Sequence, residues 1–292
     1  MLHPNRQQAA KLNALAQDLE KRGKSEEAIQ AYNRAIEIDP QWAASYFNLG
    51  LLYKHRGEWK LSLDLNLKSA TLDVTDQASW WNMGIAATAL KDWRMARVAW
   101  AGFGIKLPAA DVNSEIRLPI GQTPVRLREN REVVWGNRID PARIVIESIP
   151  TKASKRRFRD IVLNDGAPNG FRKVQGRDVP VFDELALFQS SEYNTYAIWV
   201  QLENIKKLEL LEKICDKNDL GFENWTTMLR QICRQCSEGT PHEVHDKSLE
   251  EKVQNGQYQI AVAAKNDSQM EFILSEWQTK VGADVLEFER VI

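Results

Sequence analysis

Residues 43–57 read AASYFNLGLLYKHRG, and this stretch decides how the first third of the chain folds. The same spacing of small and large apolar residues begins at Ala9 (AAKLNALAQDLEKRG) and again at Gln77 (QASWWNMGIAATALK). Starting points at 9, 43 and 77 give a period of 34 residues. A fixed period of this length predicts a stack of helical hairpins rather than three unrelated helix pairs.

The eighth residue of each copy is small, namely Ala16, Gly50 and Gly84. A small residue there lets the two helices of a hairpin approach closely, while large residues at other positions fill the space between hairpins. Pro40 and Pro108 stand where the second helix should end, because proline lacks an N–H and clashes with the preceding turn.

These positions resemble those of the tetratricopeptide repeat family over roughly residues 9–108. The resemblance implies a three-repeat α-solenoid whose first helices line a concave groove that binds a segment of another protein. The second repeat departs from the family pattern at Asn66, Ser69 and Val74.

Carried over position by position, the resemblance also implies which residues line the groove. The predicted partner-binding residues are Asn13, Gln17, Phe47, Asn48, Leu51, Trp81, Asn82 and Ile85. Asn48 and Asn82 occupy the same position of consecutive repeats, where a side-chain amide can pair with a partner's backbone. Some family members clamp chaperone tails with Lys at the position of Asn13 and Asn at that of Gln17, so we do not expect such a clamp here. A groove filled by the protein's own C-terminal half stays open as an alternative.

The pattern changes after Pro108 to short apolar runs of period two, which predict antiparallel strands. The predicted strands are Ile116–Ile120, Val125–Leu127, Val133–Trp135, Ile144–Ile149, Asp160–Leu163 and Val179–Phe182. Turns are predicted at Asp140-Pro141, Asn164-Asp165-Gly166 and Asn169-Gly170. This pattern favours a small open barrel of about five strands.

From about residue 193 the predicted order is strand, helix, helix, strand, helix, strand, which suggests a small α+β sandwich of the ferredoxin-like kind. The predicted elements are Tyr196–Leu202, Ile205–Asn218, Asn224–Glu238, Tyr258–Ala264, Ser268–Val281 and Asp284–Val291. The predicted fold class is therefore multidomain α plus α/β. It comprises a repeat domain (1–109), a β-rich, barrel-like domain (110–192) and an α+β domain (193–292).

Cys233, Cys236, His242 and His245 fall within thirteen residues of one another. Thiolates and imidazoles are the ligands that zinc prefers, and four of them close a structural site. This spacing predicts a structural zinc site as the one candidate cofactor. The alternative is that Cys233 ends a buried helix stripe and the histidines lie in a solvated loop.

A basic run at Lys152, Lys155, Arg156, Arg157 and Arg159 could contact phosphate, but such runs are more often solvated loops, and we do not expect nucleic acid as a partner. The chain contains no phosphate-binding glycine loop and no nucleophile elbow. Its net charge of −1 gives no bulk attraction to nucleic acid or anionic lipid.

No run of apolar residues is long enough to cross a membrane, and the N-terminus lacks the apolar core of a signal peptide. Three cysteines do not make a disulfide framework, so we expect a cytoplasmic location. The sequence predicts an adaptor-like protein-interaction module that binds a protein or peptide and is not an enzyme. Two alternatives stay open: an antidote (immunity) protein that neutralises a cognate toxin, and an enzyme with an unrecognised active site in residues 110–292.

Overall fold

The structure, a computed structural model, describes residues 4–174, 176–226 and 256–292. The chain divides into two compact units, Met1–Leu118 and Pro119–Ile292. The barrel and the C-terminal sheet lie in the same compact unit, so the three-domain division stays a prediction. Among the described helices, none combines the length and apolarity that crossing a bilayer requires.

Six helices make up the regular part of the first unit, and each repeat contributes one antiparallel pair. Their bounds are α1 Pro4–Lys21, α2 Ser25–Ile38, α3 Ala43–Arg56, α4 Trp59–Leu72, α5 Gln77–Ala89 and α6 Trp93–Phe103. Gly23 and Gly57 join the helices of the first two pairs at a φ of 75° each, in the left-handed region that glycine adopts without strain. The predicted three-repeat solenoid is confirmed.

Helices within a pair touch through the small eighth residue. In the third repeat, a Cβ atom added to Gly84 would lie 2.5 Å from the ring of Trp100, which is fully buried. In the second repeat, the same construction at Gly50 would meet Asn66 Nδ2 at 2.6 Å. The close approach predicted from the repeat pattern is therefore present.

Two of the three departures of the second repeat, Asn66 and Ser69, lie in a polar interior. Asn66 Nδ2 donates to the Ser62 carbonyl oxygen at 2.8 Å, and Ser62 Oγ donates to the Gly50 carbonyl oxygen at 2.9 Å. Ser69 Oγ donates to the Ala43 carbonyl oxygen at 3.0 Å. These hydrogen bonds offset much of the cost of burying polar side chains in place of the usual apolar residues, although Asn66 Oδ1 is buried without a hydrogen-bond partner.

Five strands in the second unit form a closed barrel around an apolar core that includes Val125, Val134, Ile144 and Val162. Their bounds are β1 Gly121–Arg126, β2 Val133–Asp140, β3 Arg143–Ile146, β4 Ile161–Val174 and β5 Arg177–Gln189. Neighbours in sequence pair antiparallel, so the odd strand count makes the closing β1–β5 pair parallel. The barrel-like region is confirmed, and the barrel is closed rather than open.

Three predictions within the barrel region, one strand and two turns, were wrong. Ile116–Ile120 is not a strand; Pro119 cannot donate to a ladder, and Ile120 starts the pairing through its N–H to the Arg138 carbonyl oxygen at 2.8 Å. Residues 164–166 and 169–170 are not turns, because they lie inside β4 where its register with β5 shifts. Residue types that form turns, such as glycine, also occur at β-bulges.

The remaining strands form a four-stranded antiparallel sheet in the order β7-β8-β6-β9, which is that of a split βαβ arrangement. Its elements are β6 Asn194–Gln201, α7 Lys207–Lys217, β7 Gly221–Asn224, β8 Gln257–Ala264, α8 Asp267–Val281 and β9 Asp284–Arg290. The predicted helix Asn224–Glu238 was wrong at its start, because Asn224 ends β7; its part beyond residue 226 lies outside the described residues.

Replacing Gly84 with Ala should lower the free energy of unfolding by about 1–3 kcal/mol, because the new methyl group overlaps the buried ring of Trp100. Alanine favours helix over glycine by roughly 0.5–1 kcal/mol, so overpacking has to exceed that gain. Urea denaturation followed by tryptophan fluorescence measures the difference.

The matched control is the same substitution in a Trp100→Leu background, where the overlap is relieved and Gly84→Ala should be neutral or stabilising. Equal losses in both backgrounds would show that the close contact with Trp100 does not set the helix spacing.

Candidate functional site

The first helices of the three repeats, α1, α3 and α5, pack against one another in sequence order and carry all eight predicted partner-binding residues. We call the face that these residues define the groove. In the second repeat, Phe47, Asn48 and Leu51 are half-buried and can be reached from solvent. In the first repeat Gln17 is exposed, whereas Asn13 is buried.

The third repeat presents a more closed part of the groove. Ile85 is fully buried and Asn82 nearly so, which places both beneath the surface rather than on it. Trp81 is half-buried and packs edge-on against Trp100 at 5.2 Å and Phe103 at 4.6 Å between ring centroids. These contacts with α6 fix the Trp81 ring, so it forms a rigid wall. Direct partner binding by the eight residues stays a prediction.

The predicted groove amides are hydrogen-bonded within the array. Asn48 Nδ2 donates to Asn13 Oδ1 at 3.2 Å, which links the first two repeats. The buried ammonium of Lys54 donates to Asn82 Oδ1 at 3.1 Å and links the second repeat to the third. Part of the hydrogen-bonding capacity of both asparagines is therefore used to hold neighbouring repeats together.

A cavity of about 580 Å³ opens at the start of α3 and α5. Its lining residues are Arg6, Gln41, Trp42, Ala43, Ala44, Phe47, Leu72, Asp73, Asp76 and Ala78. Phe47 is one of the predicted groove residues, and the small side chains of Ala44 and Ala78 leave the space open beside it. The cavity therefore joins the groove to the turns between repeats.

Sequence reasoning missed the contribution of the turns to this cavity. The cavity includes Trp42, which precedes α3, and Asp73 and Asp76, which precede α5. These residues lie outside the helical positions that the repeat pattern specifies. The one available signal was the N-cap preference for Asp at position 76, where the side chain accepts from the Ala78 N–H at 3.1 Å.

The charges around the cavity are partly compensated. Arg6 forms an ion pair with Asp39, and its guanidinium lies 5.4 Å from the centroid of the Trp42 ring. Thr75 donates to Asp73 Oδ1 from its hydroxyl at 2.6 Å and its N–H at 3.0 Å. The hydroxyl hydrogen bond is the largest factor that lowers the pKa of Asp73, so this carboxylate is ionised at neutral pH.

In the second unit, part of the basic run is bonded within the fold. Arg156 Nε donates to Glu184 Oε1 at 2.6 Å, with the Glu184 side chain fully buried. Lys155 pairs with Glu129 at 3.2 Å, and the Arg157 N–H donates to Asp160 at 2.8 Å. These contacts hold the segment against the barrel.

The predicted zinc ligands Cys233, Cys236, His242 and His245 all lie outside the described residues, so the zinc site stays a prediction. Within residues 4–174, 176–226 and 256–292, no three His, Cys, Asp or Glu side chains are grouped to hold a metal ion. Cys215, on α7, is buried, and burial raises the pKa of its thiol to about 12.

Comparison with known proteins supports the repeat assignment. The family model described as TPR repeat matches residues 17–57, and no curated protein matches the chain. The second TPR of Spaghetti (RPAP3), solved bound to the HSP90 peptide SRMEEVD, is 24% identical, with coverage of 34% of this chain and 92% of that chain and a TM-score of 0.32. The first TPR of Spaghetti, bound to the same peptide, is 20% identical, with coverage of 35% and 82% and a TM-score of 0.33. The family match lies within the first two repeats of the helix array.

Asn82→Ala should lower the free energy of unfolding by about 1–3 kcal/mol, because it removes an acceptor from a buried ammonium. Asn48→Ala should cost less than about 1 kcal/mol, since it breaks a bond between two neutral amides, one of them half-buried. Chemical denaturation of both variants measures the difference. Asn82→Asp, which keeps an acceptor for Lys54, serves as the control and should recover most of the loss; an equal cost at both asparagines would contradict the role assigned to Lys54.

Proposed function

We propose that this protein is an adaptor-like interaction protein whose repeat array binds a segment of a partner protein in the groove. The observation that carries the proposal is the cavity of about 580 Å³ that opens beside the half-buried Phe47. Concave sites with apolar walls and a few polar groups are the usual places where a ligand side chain is buried.

The framework of the groove supports this function because side-chain contacts already hold its helices together. Hydrogen bonds from Asn48 to Asn13 and from Lys54 to Asn82 connect the three repeats, and ring contacts hold Trp81. A preformed groove loses little conformational entropy when a partner binds, which favours affinity. Phe47 is the aromatic side chain of α3 that lines the cavity, and accessible aromatic residues dominate the binding energy of many interfaces.

Three buried carboxylates among the described residues of the second unit favour a binding protein over an enzyme. Glu184 accepts from Arg156 and from the Arg128 N–H, while Asp140 pairs with Arg143 at 2.6 Å. Glu223 accepts from the Ile149 N–H at 2.7 Å. These buried carboxylates are bonded to arginines and backbone amides of the fold, so their polar capacity serves structure rather than general acid or base chemistry.

Phe47→Ala should weaken binding of the cellular partner at least tenfold, as expected for loss of a central aromatic anchor. The measurement is affinity capture from cell extract with quantitative mass spectrometry, followed by titration of the captured partner. Circular dichroism should show that the variant remains helical.

Lys68→Ala is the matched control, because Lys68 is exposed on α4 and lies on a second helix of a repeat, away from the groove. A partner that the wild type and the Lys68 variant retain but the Phe47 variant loses supports groove binding. A partner retained equally by all three proteins would refute it.

A further inference from the structure

The cavity at the start of α3 and α5 has features that select one kind of side chain from a bound segment. Its apolar wall consists of Trp42, Phe47 and Leu72, together with three alanines. A wall of this kind fits the methylene stem of a long side chain, which can be buried while its polar end reaches the rim.

The full charges at the cavity are unbalanced. Arg6 is neutralised by its ion pair with Asp39, which leaves the carboxylates of Asp73 and Asp76 without a cationic partner among the described residues. The Asp73 carboxylate accepts both Thr75 donors at Oδ1 and a backbone hydrogen bond from Asp76, and its side chain is exposed, so a cation can still approach it. The full charges therefore sum to about −2 at this end of the groove.

Helix termini do not reverse that balance. The N-termini of α1, α3 and α5 lie at the cavity and contribute roughly +0.5 each, whereas the C-terminus of α4 contributes roughly −0.5. The sum of about +1 is smaller than the charge of the two carboxylates. A bound anion would meet net repulsion, and a bound cation would meet net attraction.

Aromatic rings add to the preference for a cation. The guanidinium of Arg6 already lies over the Trp42 ring, so a cation from a partner would use another ring of the cavity. Phe47 offers a second ring in the same cavity.

We propose that this cavity receives a basic side chain, lysine or arginine, from the segment bound in the groove. The inference rests on the proposed function and specifies the partner's chemistry: the stem lies along Phe47 and Leu72, and the cationic end pairs with Asp73 and Asp76. Recognition of an acidic chain end would require the opposite charge at this site.

Selection of a phage-displayed library of random twelve-residue peptides tests the proposal with the full chain. The wild type is compared with an Asp73→Asn, Asp76→Asn double variant and with Phe47→Ala. Asparagine keeps a side-chain oxygen for Thr75 and for the Ala78 N–H at the start of α5. Its amide nitrogen cannot accept from the Ser79 hydroxyl as Asp76 Oδ2 does, so circular dichroism must show that the double variant stays folded.

Peptides selected by the wild type should be enriched in a single Lys or Arg next to apolar residues. A selected peptide should bind the double variant about tenfold more weakly, and its Lys→norleucine form should show a similar loss against the wild type.

Peptides that depend on Phe47 but carry no basic residue, or that bind the double variant equally well, would overturn this inference and leave the proposed function standing. Absence of any Phe47-dependent peptide would overturn the inference and count against the groove as a peptide site as well.

Discussion

The close approach of α5 to α6 at Gly84 is the packing constraint on which the array depends. The face of Gly84 lies against the buried Trp100 ring, and that ring in turn holds Trp81 at 5.2 Å on the groove side. A larger residue at position 84 would push the two helices apart and move the groove wall with them. The geometry of the binding surface is thus set from inside the repeat, by a residue that a partner never touches.

In the second repeat, α3 and α4 approach each other closely through polar rather than aromatic contacts. Gly50 faces Asn66, which is bonded to Ser62, and Ser69 Oγ accepts from Ser79 Oγ at 2.9 Å. Such a network is directional, because each buried polar group needs its partner in one place. The polar interior therefore fixes the register between α4 and α5 at the point where the cavity opens.

The repeat period predicted helix number and pairing well, because tetratricopeptide packing imposes a residue type at fixed positions. The exposure of individual groove residues was less predictable. The repeat pattern places Ile85 in the groove, but its side chain is fully buried in the structure. The cavity depends on Trp42, Asp73 and Asp76 in the turns, where no periodic constraint acts. In the barrel, the sequence 164–170 has the residues of a turn but forms bulges within β4, since pairing with β5 continues beyond it. Local residue preference does not decide between a turn and a bulge here. Long-range pairing of β4 with β5 decides it.

The central claim is that the partner lies in the groove, and site-specific photocrosslinking in living cells tests it most directly. A benzophenone amino acid at Gln17, which is exposed in the groove, is compared with one at Lys68, exposed on α4. We expect an intermolecular crosslink to one partner from position 17 and none from position 68. A crosslink only from position 68, or one from position 17 to the protein's own chain, would contradict it.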